Sequence, residues 1–259
     1  MGRKTVLETS PVTKTLKWKG EKTKQEGTGK SRTVVVTQEA GWYYWDKEKE
    51  ENIQVEKPFS FLWLETAYSI SGFDNKTNKG VFSNEVLKMA EQELEVKSDG
   101  KVLVKGIYKD IKETIKGYGG KYTQAVYVLA DFGDGFEVAR LLMSGSSNEG
   151  WSDLTSTKTV KDGKVTYKPI PGAREKTFTH YITFYDSRVE EMKTGSTYDV
   201  PMFKFMPAEK ADLDAADEAY ETLVKPWFEH SAEKAASAPK TPVTEGSDDE
   251  EEEEYPDND

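Results

Sequence analysis

Residues 41–64 read GWYYWDKEKEENIQVEKPFSFLWL, and this stretch indicates the fold class. Residues 41–46 are dense in aromatic side chains, residues 52–56 alternate between polar and apolar, and residues 58–64 are almost all apolar. Aromatic and β-branched residues at these spacings favour strands over helices. The charged run DKEKEE at 46–51 is typical of a turn between two strands. The stretch therefore predicts consecutive short strands.

Strand patterns continue on both sides of this stretch, and two helices interrupt or end them. Further strands are predicted around residues 34–36, 94–97, 101–104, 122–130, 177–185 and 198–205. Apolar residues recur at helical spacing in residues 107–118, and Gly119 and Gly120 end that run. Residues 212–230 form a second helical pattern, whose apolar stripe is Leu213, Ala216, Tyr220, Leu223 and Trp227.

This order of elements predicts a β-rich α+β protein. The predicted core is an antiparallel barrel of the oligonucleotide/oligosaccharide-binding type or a curved sheet, with one internal helix and a C-terminal helix. A β-sandwich fits the pattern nearly as well. The predicted organisation is a basic, partly flexible N-terminal segment (1–32), a β-rich core domain (33–208), a C-terminal helix (209–231) and a disordered linker with an acidic tail (232–259).

Composition excludes several kinds of chemistry. The chain has no cysteine and only two histidines, His180 and His230. A thiolate metal site, a disulfide framework and a Ser-His-Asp site therefore lack the residues they need. GYGGK at 117–121 lacks the spacing of a phosphate-binding loop, and DFG at 131–133 lacks the other kinase motifs. We expect no enzyme activity, no metal and no cofactor. The alternative is a nucleic-acid enzyme or its accessory subunit, with a two-metal site made only of carboxylates.

The net charge of −11 is distributed unevenly along the chain. Residues 1–32 hold nine basic and three acidic residues, whereas residues 245–259 hold ten acidic residues and no basic one. Such asymmetry indicates contact with a polyanion at one end and with partner proteins at the other. No apolar run is long enough to span a bilayer, so we expect an intracellular, soluble protein that is neither secreted nor bound to membranes.

The acidic tail is the most specific feature of the sequence. It buries too little apolar surface to offset the loss of chain entropy, and its charges repel one another, so we expect it to be disordered. A polyanionic tail can occupy the basic surface of its own domain until nucleic acid displaces it. An alternative role is that of a solubilising segment. The residues predicted to bind partners are Asp248, Asp249, Glu250, Glu251, Glu252, Glu253, Glu254 and Tyr255.

Aromatic residues beside lysines form a candidate nucleic-acid site. Exposed rings on a strand stack on unpaired bases, while nearby lysines contact phosphates. In a strand, Trp42 and Tyr44 face one way and Tyr43 and Trp45 face the other, so one pair is available for the core. All four rings packing inside is the alternative. The residues predicted to bind nucleic acid here are Lys17, Trp18, Lys19, Trp42, Tyr44 and Lys47.

The first predicted helix adds a second candidate contact. Lys109, Lys112 and Lys116 share roughly one face of it and are predicted to contact phosphates. The alternative is an ordinary solvated face, because Asp110 and Glu113 lie among the lysines.

The layout of the whole chain resembles that of bacteriophage single-stranded DNA-binding proteins. It combines a β-rich body bearing basic and aromatic residues, a C-terminal helix, a linker and an acidic tail with one aromatic near its end. The segments WKG (18–20), YYWDKEKEENIQV (43–55) and IYKDIKETIKGYGGKY (107–122) are similar to proteins of crAss-like gut phages. The resemblance implies an oligonucleotide-binding barrel and a tail that recruits replication and recombination proteins.

From these observations we expect a protein that binds single-stranded DNA without sequence specificity in phage DNA replication and recombination. Its partners would be single-stranded DNA, replication or recombination proteins bound through the tail, and other copies of itself in a homo-oligomer. Its place would be the cytoplasm of the bacterial host. The alternative is a phage structural or virion-packaged protein that does not bind nucleic acid.

Overall fold

The computed structural model describes residues 10–26, 33–161, 164–192 and 194–237, and strands dominate these ranges. The strands are β1 (Lys14–Lys19), β2 (Lys22–Glu26), β3 (Thr33–Gln38), β4 (Gly41–Asp46), β5 (Glu51–Gln54), β6 (Phe59–Asp74), β7 (Lys79–Ser83), β8 (Leu94–Ser98), β9 (Lys101–Gly106), β10 (Gly120–Asp131), β11 (Phe136–Met143), β12 (Ser156–Lys161), β13 (Lys164–Pro169), β14 (His180–Glu191) and β15 (Thr197–Pro207). The helices are α1 (Tyr108–Gly117), α2 (Ser146–Thr155), α3 (Ala173–Thr179) and a last, continuous helix made of α4 (Lys210–Ala219), a π-helical turn (Tyr220–Val224) and α5 (Lys225–Ser237).

Eleven strands form one mixed sheet, which is open rather than closed. Its order is β5-β4-β1-β11-β10-β6-β7-β8-β9, and β14 and β15 branch from β6. The branch arises because β6 is 16 residues long: its start pairs with β14 and its end with β7, along the same edge. β1 and β11 run parallel, so the expected purely antiparallel sheet is corrected to a mixed one. The coarse expectation of a β-rich α+β protein is confirmed.

The inner face of the sheet carries an aromatic core. Strands β1, β4, β6, β10 and β11 contribute one set of alternate side chains to it, and β14, β15 and α2 cover that set. Phe203 of β15 lies near the rings of Trp42, Phe61, Trp151 and Phe184, with ring centres 6.0–6.5 Å apart. Because side chains alternate along each strand, the intervening residues of β1 and β4 face outward.

The last helix covers the middle of the outer face, over β6, β10 and β11. Its buried residues differ from the predicted stripe after Tyr220: Val224 is buried, whereas Leu223 is exposed. The π-helical turn explains the difference, because it adds one residue to a turn and rotates all later side chains. Val224 and Phe228 therefore take the inward positions predicted for Leu223 and Trp227.

Among the described residues, three helices precede the last one, where the predicted architecture had one internal helix. α1 lies where the helical pattern of residues 107–118 placed it. α2 forms because Trp151 and Leu154 bury in the inner core and Gly150 lets the helix approach the carbonyl of Pro201. α3 occupies part of the predicted strand at 177–185. The Thr177 and Thr179 hydroxyls donate hydrogen bonds to carbonyls four residues earlier. These bonds satisfy the hydroxyl groups within the helix, so the two threonines are accommodated there.

The expected boundary between residues 32 and 33 falls inside one hairpin. β1 belongs to the main sheet, and β2 pairs with β3 across that boundary. A second two-stranded sheet is formed by β12 and β13. The last helix continues to Ser237, beyond the predicted end at residue 231. The predicted acidic tail lies outside the described residues.

Candidate nucleic-acid interface

Three of the predicted site residues lie in the inner core. Trp42 is completely buried (0% exposed), with its ring centre 5.6 Å from that of Trp18. Trp18 also packs against Phe184, and its indole Nε1–H donates to the Asp199 carbonyl at 3.1 Å. Tyr44 packs against Phe132. The predicted base-stacking role of Trp42 is therefore corrected to a core role, because no face of its ring is accessible.

The opposite side of the same strands faces outward and carries the alternative aromatic pair. Trp45 is 55% exposed, and it lies opposite Asn52 in the β4–β5 register. Tyr43 lies opposite Lys17 of β1. The Lys19 ammonium lies 4.8 Å from the centre of the Tyr43 ring, which is a favourable cation–π distance. We call the outward surface formed by Lys17, Lys19, Tyr43, Trp45 and Arg140 the aromatic–basic face.

A shallow pocket lies within this face. Its volume is about 330 Å³, which is at the lower end of the range for small-ligand sites. The pocket combines an exposed indole, two cations and an amide that donates and accepts hydrogen bonds. Its lining residues are Thr15, Lys17, Tyr43, Trp45, Asn52, Arg140 and Leu142.

Arg140 is held at the pocket by a network that reaches across the sheet. Its guanidinium pairs with Glu85 and donates to the Thr15 hydroxyl at 3.3 Å. Glu85 also accepts a hydrogen bond from the Tyr127 hydroxyl at 2.5 Å. Burial, and then the Glu85 carboxylate, raise the pKa of that tyrosine. Because Glu85 offsets part of the charge of Arg140, Lys17 is the less compensated cation of the pocket.

Lysines concentrate at the end of the face where β1 leads into β2. Burial, followed by the charges of Lys22 and Lys17, lowers the pKa of Lys19. Within the part of the chain that the structure describes, none of these three lysines forms an ion pair. The mutual repulsion of these cations favours an anion at this end of the face, where the Asp199 carboxylate accepts a hydrogen bond from the backbone N–H of Glu21.

The remaining predicted lysines are not brought to this face. Lys47 is exposed in the turn after β4. Lys109, Lys112 and Lys116 are exposed on α1, which packs at the β7–β9 end of the sheet. Lys116 pairs with Glu113 at 2.9 Å. In the strand order, the lysines of β1 and those of α1 are separated by β11, β10, β6 and β7. The predicted tail residues, 248–255, lie outside the described residues.

Another uncovered part of the outer face lies at the end of β6 and on β7. Phe73 and Phe82 are exposed there on neighbouring strands. Its lysines are matched by acids, because Lys79 pairs with Asp99 and Lys97 pairs with Glu95. The aromatic–basic face therefore combines rings with unpaired cations more clearly than this second patch does.

Sequence reasoning missed Tyr43, Trp45, Asn52 and Arg140. The alternation in residues 42–45 shows that two rings lie on each face of the strand. It does not show which face is covered by other elements of the fold. The covering elements are β14, β15 and α2, which lie about a hundred residues or more after β4 in the sequence. The identity of the outward-facing pair, of which Trp45 is exposed and Tyr43 is buried, is therefore a consequence of tertiary packing.

No helix among the described residues is both long and apolar enough to cross a membrane. No protein-family model, no curated protein and no solved structure matches this chain.

Proposed function

We propose that the protein binds single-stranded DNA without sequence specificity, through the aromatic–basic face. The observation that carries this proposal is Trp45, an exposed indole in a pocket that Lys17 and Arg140 also line. An exposed ring offers a stacking surface to an unpaired base, and stacking contributes about 1–3 kcal/mol per base. Lys17 and Arg140 line the same pocket and would contact the phosphates next to that base.

The composition of the face favours a ligand that is recognised by its backbone and its flat bases. Any base stacks on an indole, and lysine contacts phosphate whatever the sequence. Asn52 is the pocket amide that can hydrogen-bond a base edge. One such group discriminates weakly, so we expect affinity without strong sequence preference.

The oligonucleotide/oligosaccharide-binding type of fold is part of the proposal. Its support is the single aromatic core enclosed between the inner face of β1, β4, β6, β10 and β11 and the layer formed by β14 and β15. Phage replication and recombination as the setting, and the host cytoplasm as the place, are supported by the resemblance in layout to phage single-stranded DNA-binding proteins. In this setting the acidic tail regulates binding and recruits partner proteins.

The test is a binding titration with oligo-dT at two salt concentrations, read by fluorescence anisotropy. Trp45→Ala should raise the Kd by about 5- to 150-fold, which corresponds to the loss of one stacked base. Lys17→Gln should lower the dependence of log K on log salt by about 0.7, the value for one contact with single-stranded phosphate.

The matched control is Phe136→Ala, which removes another exposed ring that lies outside the pocket. This variant should bind oligo-dT like the unmodified protein. Absence of binding by the unmodified protein at low salt would overturn the proposal. Equal losses of oligo-dT affinity in Trp45→Ala and Phe136→Ala would show that the pocket is not the binding site.

A second candidate function is that of a phage structural protein that packs against neighbouring chains. The favouring observation is that β2–β3 and β12–β13 are separate two-stranded sheets with exposed aliphatic side chains, including Val34 and Val160. Such surfaces are suited to pairing with another chain. High copy number in purified particles, together with no affinity for DNA, would support this function instead.

A further inference from the structure

Two β-ribbons extend from the main sheet without a covering layer in the described residues. Ribbon 1 is the β2–β3 hairpin, and ribbon 2 is the β12–β13 hairpin. All residues of β2 are exposed, and Val34 in β3 and Val160 in β12 are each 62% exposed. A two-stranded ribbon is at best marginally stable in water by itself. Contact with a partner would therefore stabilise both ribbons.

Both ribbons are anchored at neighbouring residues at the start of β15. At the foot of ribbon 1, the backbone N–H of Glu21 donates to the Asp199 carboxylate at 2.8 Å. At the foot of ribbon 2, Lys158 pairs with Glu149, and Glu149 accepts a hydrogen bond from the Tyr198 hydroxyl at 3.1 Å. Tyr198 and Asp199 are adjacent in β15, so both ribbons are anchored to neighbouring positions of one strand.

The ribbon segments carry the positive charge of the body. Segments 22–38 and 156–169 each contain four basic residues and one acidic residue, a net charge of +3 for each segment. Residues 1–210 as a whole hold 33 basic and 30 acidic residues, so the rest of that region is net negative. The small net charge of residues 1–210 therefore conceals two basic stretches of the sequence.

Several ribbon cations have no acidic partner in the described structure. Lys22, Lys161 and Lys168 are exposed and form no ion pair with any described residue. The register of ribbon 2 also sets Lys161 directly opposite Lys164.

We propose that the two ribbons bind duplex DNA, so that the protein's preferred ligand is a junction between duplex and single strand. A two-stranded β-ribbon fits the major groove of B-DNA, where exposed aliphatic groups contact thymine methyls and lysines neutralise phosphates. The duplex contact stands on the ribbons alone. The preference for a junction rests also on the proposed single-strand site.

The placement of the two surfaces suits one continuous ligand. Ribbon 1 continues the β1–β4 hairpin, whose outward side carries Lys17 and Trp45. Trp45 lies four residues from Gly41, where β4 begins, a distance of about 14 Å along the strand. A DNA strand leaving a duplex held at the ribbons therefore reaches the pocket within a few nucleotides.

The test compares three probes: oligo-dT, a blunt duplex, and the same duplex with a single-stranded dT extension. The ribbon variant is Lys22→Gln/Lys161→Gln/Lys168→Gln. Its matched control is Lys76→Gln/Lys101→Gln/Lys121→Gln, which removes three exposed lysines that also form no described ion pair and lie on other strands and loops. Both variants change the net charge by −3.

For the unmodified protein, we expect binding to the extended duplex at least about tenfold tighter than to either part alone. The ribbon variant should lose this extra affinity for the extended duplex. For the blunt duplex, the slope of log K against log salt should become smaller by about 2 to 3, the value for three phosphate contacts. Its affinity for oligo-dT should fall far less than its affinity for the blunt duplex, because only Lys22 of the three substituted lysines lies beside the aromatic–basic face. The control should behave as the unmodified protein on all three probes.

The outcomes separate the two proposals. Equal behaviour of the ribbon and control variants on the blunt duplex would overturn the ribbon inference and leave the single-strand proposal standing. Duplex binding that depends on the ribbons, without any binding to oligo-dT, would overturn the proposed function and the junction preference but retain the duplex contact. A changed sedimentation coefficient of the ribbon variant, with duplex affinity unchanged, would assign the ribbons to self-association and overturn the inference.

Discussion

At the scale of single residues, two tryptophans of one strand have opposite roles. Trp42 and Trp45 are three positions apart in β4, and an odd spacing places side chains on opposite faces of a strand. Trp42 has aromatic neighbours in the inner core, whereas Trp45 borders the open pocket. Truncation of these two residues should therefore affect different properties, stability for Trp42 and ligand binding for Trp45.

Trp42→Ala should lower the free energy of unfolding by about 3–5 kcal/mol, the usual range for removing a buried large aromatic residue. Trp42→Phe should lower it much less. The ring is largely kept in that variant, and the buried Nε1–H that it removes has no hydrogen-bond acceptor among the described residues. Urea unfolding followed by far-UV circular dichroism measures both values. Equal stability of Trp42→Ala and the unmodified protein would contradict the core position.

At the scale of elements, the last helix depends on its π-helical turn. This turn ends at Val224, two residues before Pro226, whose ring would clash with the Thr222 carbonyl in a regular α-helix. The extra residue of the wider turn changes which side chains face β6 and β10. The helix thereby keeps an apolar contact surface on both sides of the proline.

Substitutions at two adjacent positions test this register. Val224→Ala should destabilise the protein by about 2 kcal/mol, because it removes buried methyl groups from the contact with the sheet. Leu223→Ala removes a larger amount of side chain at an exposed position, so its effect should stay within about 0.5 kcal/mol. Urea unfolding of both variants measures the difference. The reverse order would indicate a regular α-helix without the π-helical turn.

At the scale of the whole molecule, basic and acidic residues are separated along the sequence. Basic residues are concentrated in the two ribbon segments and at the foot of ribbon 1, whereas residues 211–259 hold seventeen acidic and three basic residues. An acidic terminus on the same chain as a basic surface is present at a high effective concentration. We therefore propose that it competes with polyanionic ligands for that surface.

Deletion of residues 241–259 should tighten binding to oligo-dT. The gain should be about tenfold at low salt and should nearly vanish near 0.3 M salt, since screening weakens the competing attraction. Quenching of tryptophan fluorescence by oligo-dT measures the affinity of both forms. A deletion variant with unchanged affinity at every salt concentration would restrict the tail to other roles, such as partner recruitment.

The sequence by itself determined the local preferences. Alternating aromatic and β-branched residues indicated the strands, the spacing of Ile107, Ile111 and Ile115 indicated α1, and the apolar stripe indicated the last helix up to Tyr220. These predictions succeed because strand and helix periodicities are fixed by backbone geometry. The strong charge asymmetry was also readable from the sequence.

Only the tertiary structure decided which residues share a surface. β1 and β11 pair across more than a hundred residues, which brings Arg140 and Leu142 to the pocket beside Lys17. β14, β15 and α2 cover one face of β4, which buries Trp42 and leaves Trp45 in solvent. Alternation fixes that the two faces differ, but the choice of the buried face depends on the free energy of packing distant elements together.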